Sequence, residues 1–254
     1  MDLNLKGKRA LITGASRGIG LAIARTLSAE GAAVGICARG AEALAEVAGQ
    51  LGEQGGPVFH RTLDVADTAA LTAFVNDTAA ALDGLDIIVA NASASVGDGT
   101  DAWLNNFHTD LMSLVTLIEV ATPHLERSES AAVVAIASTS ALEAGILPTA
   151  NSFGAVKAAM LQHVSAQARQ LGPKRIRLNA VSPGPVFFDG GVWDNIRTGI
   201  PALFEGAIGA TALGKLASAE DVASAVAYLA SPAAGHITGT NLVIDGGFTH
   251  RFDY

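Results

Sequence analysis

The sequence predicts an α/β fold with a doubly wound parallel sheet and helices on both faces. Short apolar runs alternate with segments of helical spacing along the whole chain. The first apolar run ends in a glycine turn that opens the first helical segment. The length of 254 residues suits one such unit, because α/β domains often reach about 250 residues. We therefore expect a single Rossmann-type domain over residues 1–254.

Apolar runs predict the strands, and segments with a period near 3.6 predict the helices. The strands are expected at residues 10–12, 33–38, 58–63, 86–90, 132–137, 176–181 and 241–244. The helices are expected at 18–30, 41–51, 68–82, 102–125, 152–171 and 219–230, the last begun by Ser218. Strands that alternate with helices indicate βαβ units and a parallel sheet.

One long stretch, residues 183–216, has no clear periodicity and contains several glycines. Long segments of this kind often cover a binding site. We expect residues 184–216 to form a substrate loop or lid, with a purely structural cover of the sheet as the alternative.

The composition limits the classes of partner that we expect for this chain. The chain has 16 basic and 24 acidic residues, a net charge of −8, and no basic face that would suit nucleic acid. No uninterrupted apolar segment approaches the roughly 18 residues of a membrane span. Cys37 is the only cysteine, which excludes an intrachain disulfide scaffold and a cysteine-based zinc site. We expect a cytoplasmic protein with no nucleic-acid or membrane partner and no metal.

The glycine turn predicts a dinucleotide site. Gly14 suits the positive φ of a tight turn, Gly18 lets backbone approach phosphate, and Gly20 lets the helix pack closely on the strand. The N-terminus of the following helix favours an anionic pyrophosphate. The same turn contributes the candidate cofactor contacts Ser16, Arg17 and Ile19.

These glycines are spaced Gly-x-x-x-Gly-x-Gly, and further motifs follow in order along the chain. They are Asp64-Val65, Asn91-Ala92-Ser93, Ile136-Ala137-Ser138, Phe153-Gly154-Ala155-Val156-Lys157, Pro183-Gly184 and Asp245-Gly246-Gly247. Together they resemble the short-chain dehydrogenase/reductase family, in particular 3-oxoacyl-ACP reductases. The resemblance implies a nicotinamide cofactor contacted by Asp64, Val65, Asn91, Lys157, Pro183 and Gly184. Ser93 stands where the family usually has glycine.

Charge favours NADP over NAD. An acid at the end of the second strand usually binds a free ribose hydroxyl, and the predicted strand 33–38 is followed by Arg39 instead. Arg39 and Arg17 are expected to clamp a 2′-phosphate, since guanidinium pairs well with phosphate. The alternative is that both arginines are solvated surface residues and the cofactor is NAD.

The resemblance also predicts a departure at the active site. The family uses a tyrosine, with a lysine four residues later, to move the proton of the substrate oxygen. Phe153 occupies that tyrosine position, and a phenyl ring carries no exchangeable proton. Lys157 is retained and is expected to contact the cofactor ribose. The chain's tyrosines are Tyr228, expected in the core, and Tyr254, expected in a C-terminal tail.

Other polar positions differ too. Asp110 stands where the family usually has an asparagine, and Phe188 where it often has a threonine for the carboxamide. The thirteen-residue interval before Phe153 selects Ser140 as the substrate-binding serine, whereas the strand end selects Ser138. Asp110 is alternatively an ordinary solvated helix acid, and either serine alternatively caps its own loop.

We expect an oxidoreductase acting on a small carbonyl or alcohol, with the proton supplied by Ser138, Ser140, Asp110 or water. The alternatives are a silent NADP(H)-binding sensor or structural partner, and a lyase or isomerase in the same cleft. A further alternative is that the chain is a normal enzyme of the family in which Phe153 has been introduced in place of the tyrosine. Apolar residues on more than one face of segments 111–125 and 152–171 predict a homo-oligomer, a dimer or tetramer.

Overall fold

The computed structural model describes residues 2–53, 56–94, 96–144 and 151–250. Its strands are β1 (Arg9–Thr13), β2 (Ala33–Ala38), β3 (Val58–Thr62), β4 (Ile87–Ala90), β5 (Ala132–Ile136), β6 (Arg177–Pro183), β7 (Val186–Phe187), β8 (Ala217–Ser218) and β9 (Asn241–Ile244). Its α-helices are α1 (Gly18–Ala29), α2 (Ala41–Glu53), α3 (Thr68–Ala81), α4 (Gly99–Asn106), α5 (Ser113–Leu125), α6 (Asn151–Leu171), α7 (Val192–Gly199), α8 (Pro201–Ala210) and α9 (Ala219–Ala230).

Seven strands form one parallel sheet in the order β3-β2-β1-β4-β5-β6-β9. One buried cluster packs α1, α2 and α9 on one face, and a second packs α3, α5 and α6 on the other. The predicted doubly wound sheet with helices on both faces is confirmed. No helix among the described residues is long and apolar enough to cross a bilayer.

Local signals fix where several elements begin. Ser218 caps α9 in a reciprocal arrangement with Asp221, as the sequence predicted for this helix. Asp67 caps α3 by accepting hydrogen bonds from the backbone N–H groups of Ala69 and Ala70. These caps satisfy N–H groups that have no partner within their own helix.

Residues 184–216 are more ordered than the sequence indicated. They contain β7 and the two helices α7 and α8, and β7 pairs with β8 in a small parallel ladder. The sequence had predicted no helix or strand in this stretch, so these elements were missed. The two helices have only 8 and 10 residues and include several glycines. The apolar residues therefore repeat over too few turns to reveal a helical period in the sequence.

The predicted long helix at residues 102–125 is interrupted. A π-helical segment, Phe107–Met112, lies between α4 and α5. Short π segments are rare and often occur at functional sites. Asp110, which lies in this segment, is 1% exposed. The alternative that Asp110 is a solvated surface acid is therefore wrong.

A partly buried ion pair joins β1 to the residue before β4. The guanidinium of Arg9 donates to both carboxylate oxygens of Asp86, at 2.7 and 3.0 Å, and the Ser128 hydroxyl also donates to this carboxylate. Burial raises the pKa of Asp86, but the hydrogen bonds from Arg9 and Ser128 outweigh it and hold the pKa below its usual value. The carboxylate is 3% exposed and depends on these donors.

We predict that Asp86→Ala lowers the free energy of unfolding by about 2 kcal/mol at neutral pH, because it removes charge-assisted hydrogen bonds and leaves Arg9 unpaired. Asp77→Ala, which breaks the exposed Arg61–Asp77 pair, should cost less than about 1 kcal/mol. Urea denaturation of both variants measures the difference.

The contribution of Asp86 should also depend on pH. Its pKa is lower in the folded than in the unfolded chain, so the stabilisation is present above the unfolded value of about 4 and is lost as pH falls through the folded pKa. The gap between wild type and Asp86→Ala should therefore narrow below about pH 4. Equal effects of the two variants at neutral pH would contradict this account.

Candidate active site

The turn between β1 and α1 forms a cradle of main chain. Gly14 and Gly18 have φ of +69° and +54°, a region that L side chains rarely adopt. A Cβ atom on Gly20 would collide with the carbonyl oxygen of Gly14. Arg17 precedes α1 in an extended conformation, so the first N–H groups of the helix follow the turn directly. The turn fits a pyrophosphate at a helix N-terminus.

The cradle opens into a groove of about 1170 Å³ at the carboxyl ends of the strands, where the strand order reverses between β1 and β4. Ligands of open α/β sheets bind at such a reversal. The groove wall contains most of the predicted cofactor contacts, namely Gly14, Ser16, Arg17, Ile19, Gly20, Arg39, Asp64, Val65 and Asn91. Gly18 lies in the same turn, covered by the ring of Phe188.

Asn91 joins the two strands that flank this reversal. Its side-chain amide donates to the carbonyl oxygens of Thr13 and Gly14 at 2.8 and 3.1 Å, and its backbone N–H donates to the Thr13 hydroxyl. The amide protons of Asn91 are thus used to fix the end of β1 against the end of β4. These hydrogen bonds hold Asn91 at the groove wall.

Both arginines proposed for a phosphate clamp are exposed at the groove wall. Arg17 donates from Nη1 to the carbonyl oxygen of Gly190 at 2.9 Å, which brings the segment after β7 to the groove edge. Asp64 accepts a hydrogen bond from the backbone N–H of Ala66, in the turn after β3. The end of β2 contributes Ala38 and Arg39 to the wall, and neither is acidic.

A smaller cavity of about 210 Å³ adjoins the groove. Its wall includes Ser138, Ser140, Phe153, Lys157, Pro183, Gly184 and Trp193, and it shares Ile19, Asn91, Ser93, Val96 and Phe188 with the groove. Three predicted cofactor contacts, Lys157, Pro183 and Gly184, thus lie on this cavity rather than on the groove. The two spaces meet at the shared residues, where a bound nicotinamide and a substrate would come together.

The structure distinguishes the two candidate serines. The Ser138 hydroxyl accepts a hydrogen bond from the backbone N–H of Ser140 at 3.1 Å and caps the short 3₁₀ turn Thr139–Ala141. Within the described residues, the Ser140 hydroxyl makes no hydrogen bond to protein. Ser138 therefore holds the turn, and Ser140 presents the freer hydroxyl to the cavity.

Asp110 and Lys157 form a buried ion pair beside this cavity. Lys157 Nζ lies 2.8 Å from Asp110 Oδ1, and the two side chains are 2% and 0% exposed. Lys157 also donates to the carbonyl oxygen of Ile136 at 2.8 Å. The second carboxylate oxygen of Asp110 accepts from the backbone N–H of Ala94 at 2.9 Å. A buried charge pair requires this kind of additional hydrogen bonding.

Phe153 lies one helical turn before Lys157 on α6. The ammonium of Lys157 is 5.5 Å from the centre of the phenyl ring, within the range of a cation–π contact. The neighbouring Gly154 lets α6 approach the 3₁₀ turn closely, since a Cβ there would lie 2.7 Å from the carbonyl oxygen of Ser140. Phe153 and Ser140 thus line the same cavity from adjacent elements.

Ser93 was not predicted as a site residue. Its hydroxyl donates to Oδ1 of Asp110, and its side chain is exposed at the junction of groove and cavity. The only sequence signal was a serine in place of the usual glycine. The partner carboxylate, Asp110, is distant in sequence, so the contact was not visible from local spacing.

Other candidate groups lie away from the site. Tyr228 packs against the core cluster on the α1–α9 face, as predicted, and Tyr254 lies outside the described residues. Burial raises the pKa of the Cys37 thiol to about 12, so this thiol is unreactive at neutral pH. The described ranges contain no cluster of three or more His, Cys, Asp or Glu side chains arranged to hold a metal.

Comparisons with known proteins agree with this geometry. The family model described as "Enoyl-(Acyl carrier protein) reductase" matches residues 14–249. The chain is 38% identical to isoepoxydon dehydrogenase patN of Penicillium expansum over 97% of this chain and 96% of the relative. It is 33% identical to cis-4-hydroxycyclohexanecarboxylate dehydrogenase of Sinomonas cyclohexanicum over 94% and 96% of the two chains.

A solved structure extends the likeness to three dimensions. It is a short-chain dehydrogenase from Burkholderia cenocepacia J2315 in complex with NADP, 32% identical to this chain. The match covers 96% of this chain and 98% of that one, with a TM-score of 0.89. The sheet order, the glycine turn and these matches lead to one assignment: the chain belongs to the short-chain dehydrogenase/reductase family of oxidoreductases.

Proposed function

We propose that this chain is an NADP(H)-dependent oxidoreductase that interconverts a small carbonyl compound and its alcohol. The observation that carries the proposal is the junction of the dinucleotide-sized groove with a small cavity that contains Ser140 and Lys157. The cofactor supplies the hydride chemistry, and the chain binds and orients the two reactants. The NADP complex of the Burkholderia relative supports the choice of cofactor.

Two exposed guanidinium groups favour NADP over NAD. Arg39 follows β2 directly, where an acid would repel a 2′-phosphate, and Arg17 lies on the same groove wall. An arginine contacts a phosphate through several donors of fixed geometry. Because Arg17 also holds the carbonyl of Gly190, we assign the larger share of phosphate recognition to Arg39.

We predict that Arg39→Ala raises the dissociation constant for NADPH about tenfold or more, since one charge-assisted contact to phosphate is lost, and leaves that for NADH nearly unchanged. Arg25→Ala is the matched control, because Arg25 lies on α1, bonds to Gln50 and is not on the groove wall. Fluorescence titration measures both constants. Wild-type protein that binds NADH as tightly as NADPH would contradict the clamp.

The cavity suits a small neutral substrate. Lys157 is the only charged side chain on its described wall, and Asp110 already compensates that charge. Much of the remaining wall is apolar, including Phe153, Phe188 and Trp193. The Sinomonas relative is named for a substrate that carries a ring and a carboxylate. We propose that this chain takes a neutral ketone or alcohol of comparable ring size and selects against the carboxylate.

The assigned roles follow from these contacts. Ser140 is proposed to bind the substrate oxygen, and Lys157 to contact the cofactor ribose while Asp110 and the Ile136 carbonyl hold its ammonium in place. Phe153 is proposed to occupy the position of the family tyrosine, so the proton must come from another group. A positioned acid or base is worth about 10²–10⁴-fold in rate.

We predict that Phe153→Tyr raises NADPH-dependent reduction of neutral cyclic ketones, such as cyclohexanone, about 10²-fold. The change adds one hydroxyl at constant ring shape, so packing should change little. The dissociation constant for NADPH should not change. Steady-state kinetics and fluorescence titration give the two readouts.

The matched control is Phe59→Tyr, which adds the same hydroxyl to a ring that also lies beside a cation, Arg61, but is outside both described cavity walls and should leave turnover unchanged. The panel should include 4-oxocyclohexanecarboxylate, which we expect to be the poorer substrate. If Phe153→Tyr folds, binds NADPH and gains nothing on any member of the panel, Phe153 does not stand at the proton-donor position.

The absence of a hydroxyl on Phe153 also favours a second candidate, a silent NADP(H)-binding protein. The same assays separate the two functions. Wild-type protein that binds NADPH tightly and turns over no carbonyl or alcohol fits the silent binder, whereas measurable turnover fits the enzyme. A lyase or isomerase would consume substrate without any change in NADPH absorbance.

Residues 184–216 are proposed to act as the substrate lid. Trp193 of α7 lines the small cavity, and Phe188 lies between the cavity and the groove. The bond from Arg17 to the Gly190 carbonyl joins this segment to the glycine turn. A segment that contacts both spaces can exclude water when substrate and cofactor are bound.

We also propose a homo-oligomer, a dimer or tetramer, of a cytoplasmic protein. Trp103, Leu104 and Phe107, at the end of α4 and the start of the π segment, are 47%, 50% and 42% exposed. Grouped apolar side chains of this size favour association. Many of the apolar residues on α5 and α6 that predicted association from the sequence are instead buried in this chain's own core, so we propose the interface at α4.

We predict that light scattering at micromolar concentration gives a dimer or tetramer, and that Leu104→Glu shifts the protein toward monomer, because it places a charge inside the apolar contact. Leu213→Glu is the matched control, since Leu213 is 73% exposed and lies after α8, where its backbone N–H bonds to the carbonyl oxygen of Gly246. A monomeric wild type, or equal behaviour of both variants, would contradict the proposed interface.

A further inference from the structure

The Ser93 side chain links the buried ion pair to the two cavities. Its hydroxyl donates to Oδ1 of Asp110, the same oxygen that pairs with Lys157 at 2.8 Å. A second acceptor, the carbonyl oxygen of Ala94, is farther away at 3.2 Å. Ser93 is exposed and lines both the groove and the small cavity, whereas Asp110 is fully buried.

Three groups contact the Asp110 carboxylate, and they differ in their exposure to the two cavities. Its Oδ2 accepts from the backbone N–H of Ala94, and its Oδ1 meets Lys157 and Ser93. Lys157 is 2% exposed, and its contacts with Asp110 and the Ile136 carbonyl use two of its three protons, which leaves one for the cofactor ribose. Among these described partners, Ser93 carries the exposed exchangeable proton.

We infer that Ser93 is a further catalytic residue, which carries the proton between the substrate oxygen and the Asp110 carboxylate. The inference rests on the proposed oxidoreductase function and supplies the proton that Phe153 cannot. A serine hydroxyl is both a donor and an acceptor, so it can pass on one proton while it receives another. The substrate oxygen needs to come within hydrogen-bond reach of Ser93, directly or through one water.

The step balances in the direction of alcohol oxidation. The O–H bond of the alcohol breaks and its proton moves to Oγ of Ser93, as the proton of Ser93 moves to Oδ1 of Asp110. The C–H bond breaks, and its electron pair leaves as hydride to the oxidised nicotinamide that the family's activity supplies. The products are a carbonyl compound, a reduced nicotinamide and a neutral Asp110 carboxyl group. Carbonyl reduction is the reverse, and the Asp110 proton exchanges with solvent through Ser93.

The test compares Ser93→Ala with Ser93→Thr on the neutral cyclic ketone panel. We expect Ser93→Ala to lower kcat about 10²-fold or more, because it removes the relay hydroxyl, and Ser93→Thr to stay within about fivefold of wild type, because it keeps one. The dissociation constant for NADPH, measured by fluorescence titration without turnover, should change less than about threefold in both variants. Ser113→Ala is the matched control, since Ser113 itself lines neither cavity and its hydroxyl bonds to the carbonyl oxygen of Thr109 in the π segment.

Two further variants test the path itself. Asp110→Asn keeps the shape of the side chain and removes the proton acceptor, so it should lower kcat as Ser93→Ala does, and the double variant should be no worse than the poorer single one. In the Phe153→Tyr background, where a phenol can supply the proton, Ser93→Ala should cost less than about fivefold. Circular dichroism confirms that each variant is folded, and a folded Ser93→Ala alone suffices to decide the inference.

The outcomes separate this inference from the function on which it rests. Wild-type turnover that Ser93→Ala leaves within about threefold overturns the relay and leaves the oxidoreductase intact. Two other results also overturn the relay. One is an equal loss of kcat from Ser93→Ala in the wild type and in the Phe153→Tyr background. The other is a similar loss of kcat in Ser93→Ala and Ser93→Thr. Wild-type protein that binds NADPH and turns over nothing overturns the proposed function and the relay together.

Discussion

The buried ion pair between Asp110 and Lys157 is the constraint on which the site depends. Taking two charges out of water costs several kcal/mol for each ion, and the cost is recovered only with good geometry and further hydrogen bonds. The protein provides these from the backbone N–H of Ala94 and the carbonyl of Ile136. The pair and its hydrogen bonds thereby join the π segment, α6, the chain after β4 and the end of β5 at one point on the cavity wall.

The ion pair between Asp110 and Lys157 determines which polar groups are available to the reactants. The Lys157 charge is compensated within the protein, so the ammonium offers little attraction to an anionic substrate. The position one turn earlier on α6 carries the phenyl ring of Phe153, which packs against that ammonium and exchanges no proton. Hydroxyl groups on the cavity wall include Ser140, on the turn after β5, and Ser93, after β4.

The sequence predicted those features whose signals are local. Alternating apolar runs identified the seven strands, and the glycine spacing identified the cradle, because a tight turn and a close helix–strand contact each require residues without side chains. Helices α7 and α8 were missed because short, glycine-containing helices carry no readable period. The choice between Ser138 and Ser140 needed the geometry of the capped turn. The pairing of Asp110 with Lys157 was not visible, because it depends on how the π segment and α6 pack together.

In the proposed function, hydride transfer divides into two tasks carried by different parts of the fold. The proposed cofactor site depends on main chain and on Gly14, Gly18 and Gly20, whose spacing resembles the family pattern. Handling the proton depends on a few side chains, and these depart from it. A change in the proton-handling residues leaves the glycine turn intact, because the turn is fixed by backbone conformation and not by the identity of the catalytic acid. The same fold can therefore keep its cofactor groove while the proton follows a new path, and the exposed Ser93 hydroxyl, bonded to a fully buried carboxylate, is where this chain offers such a path.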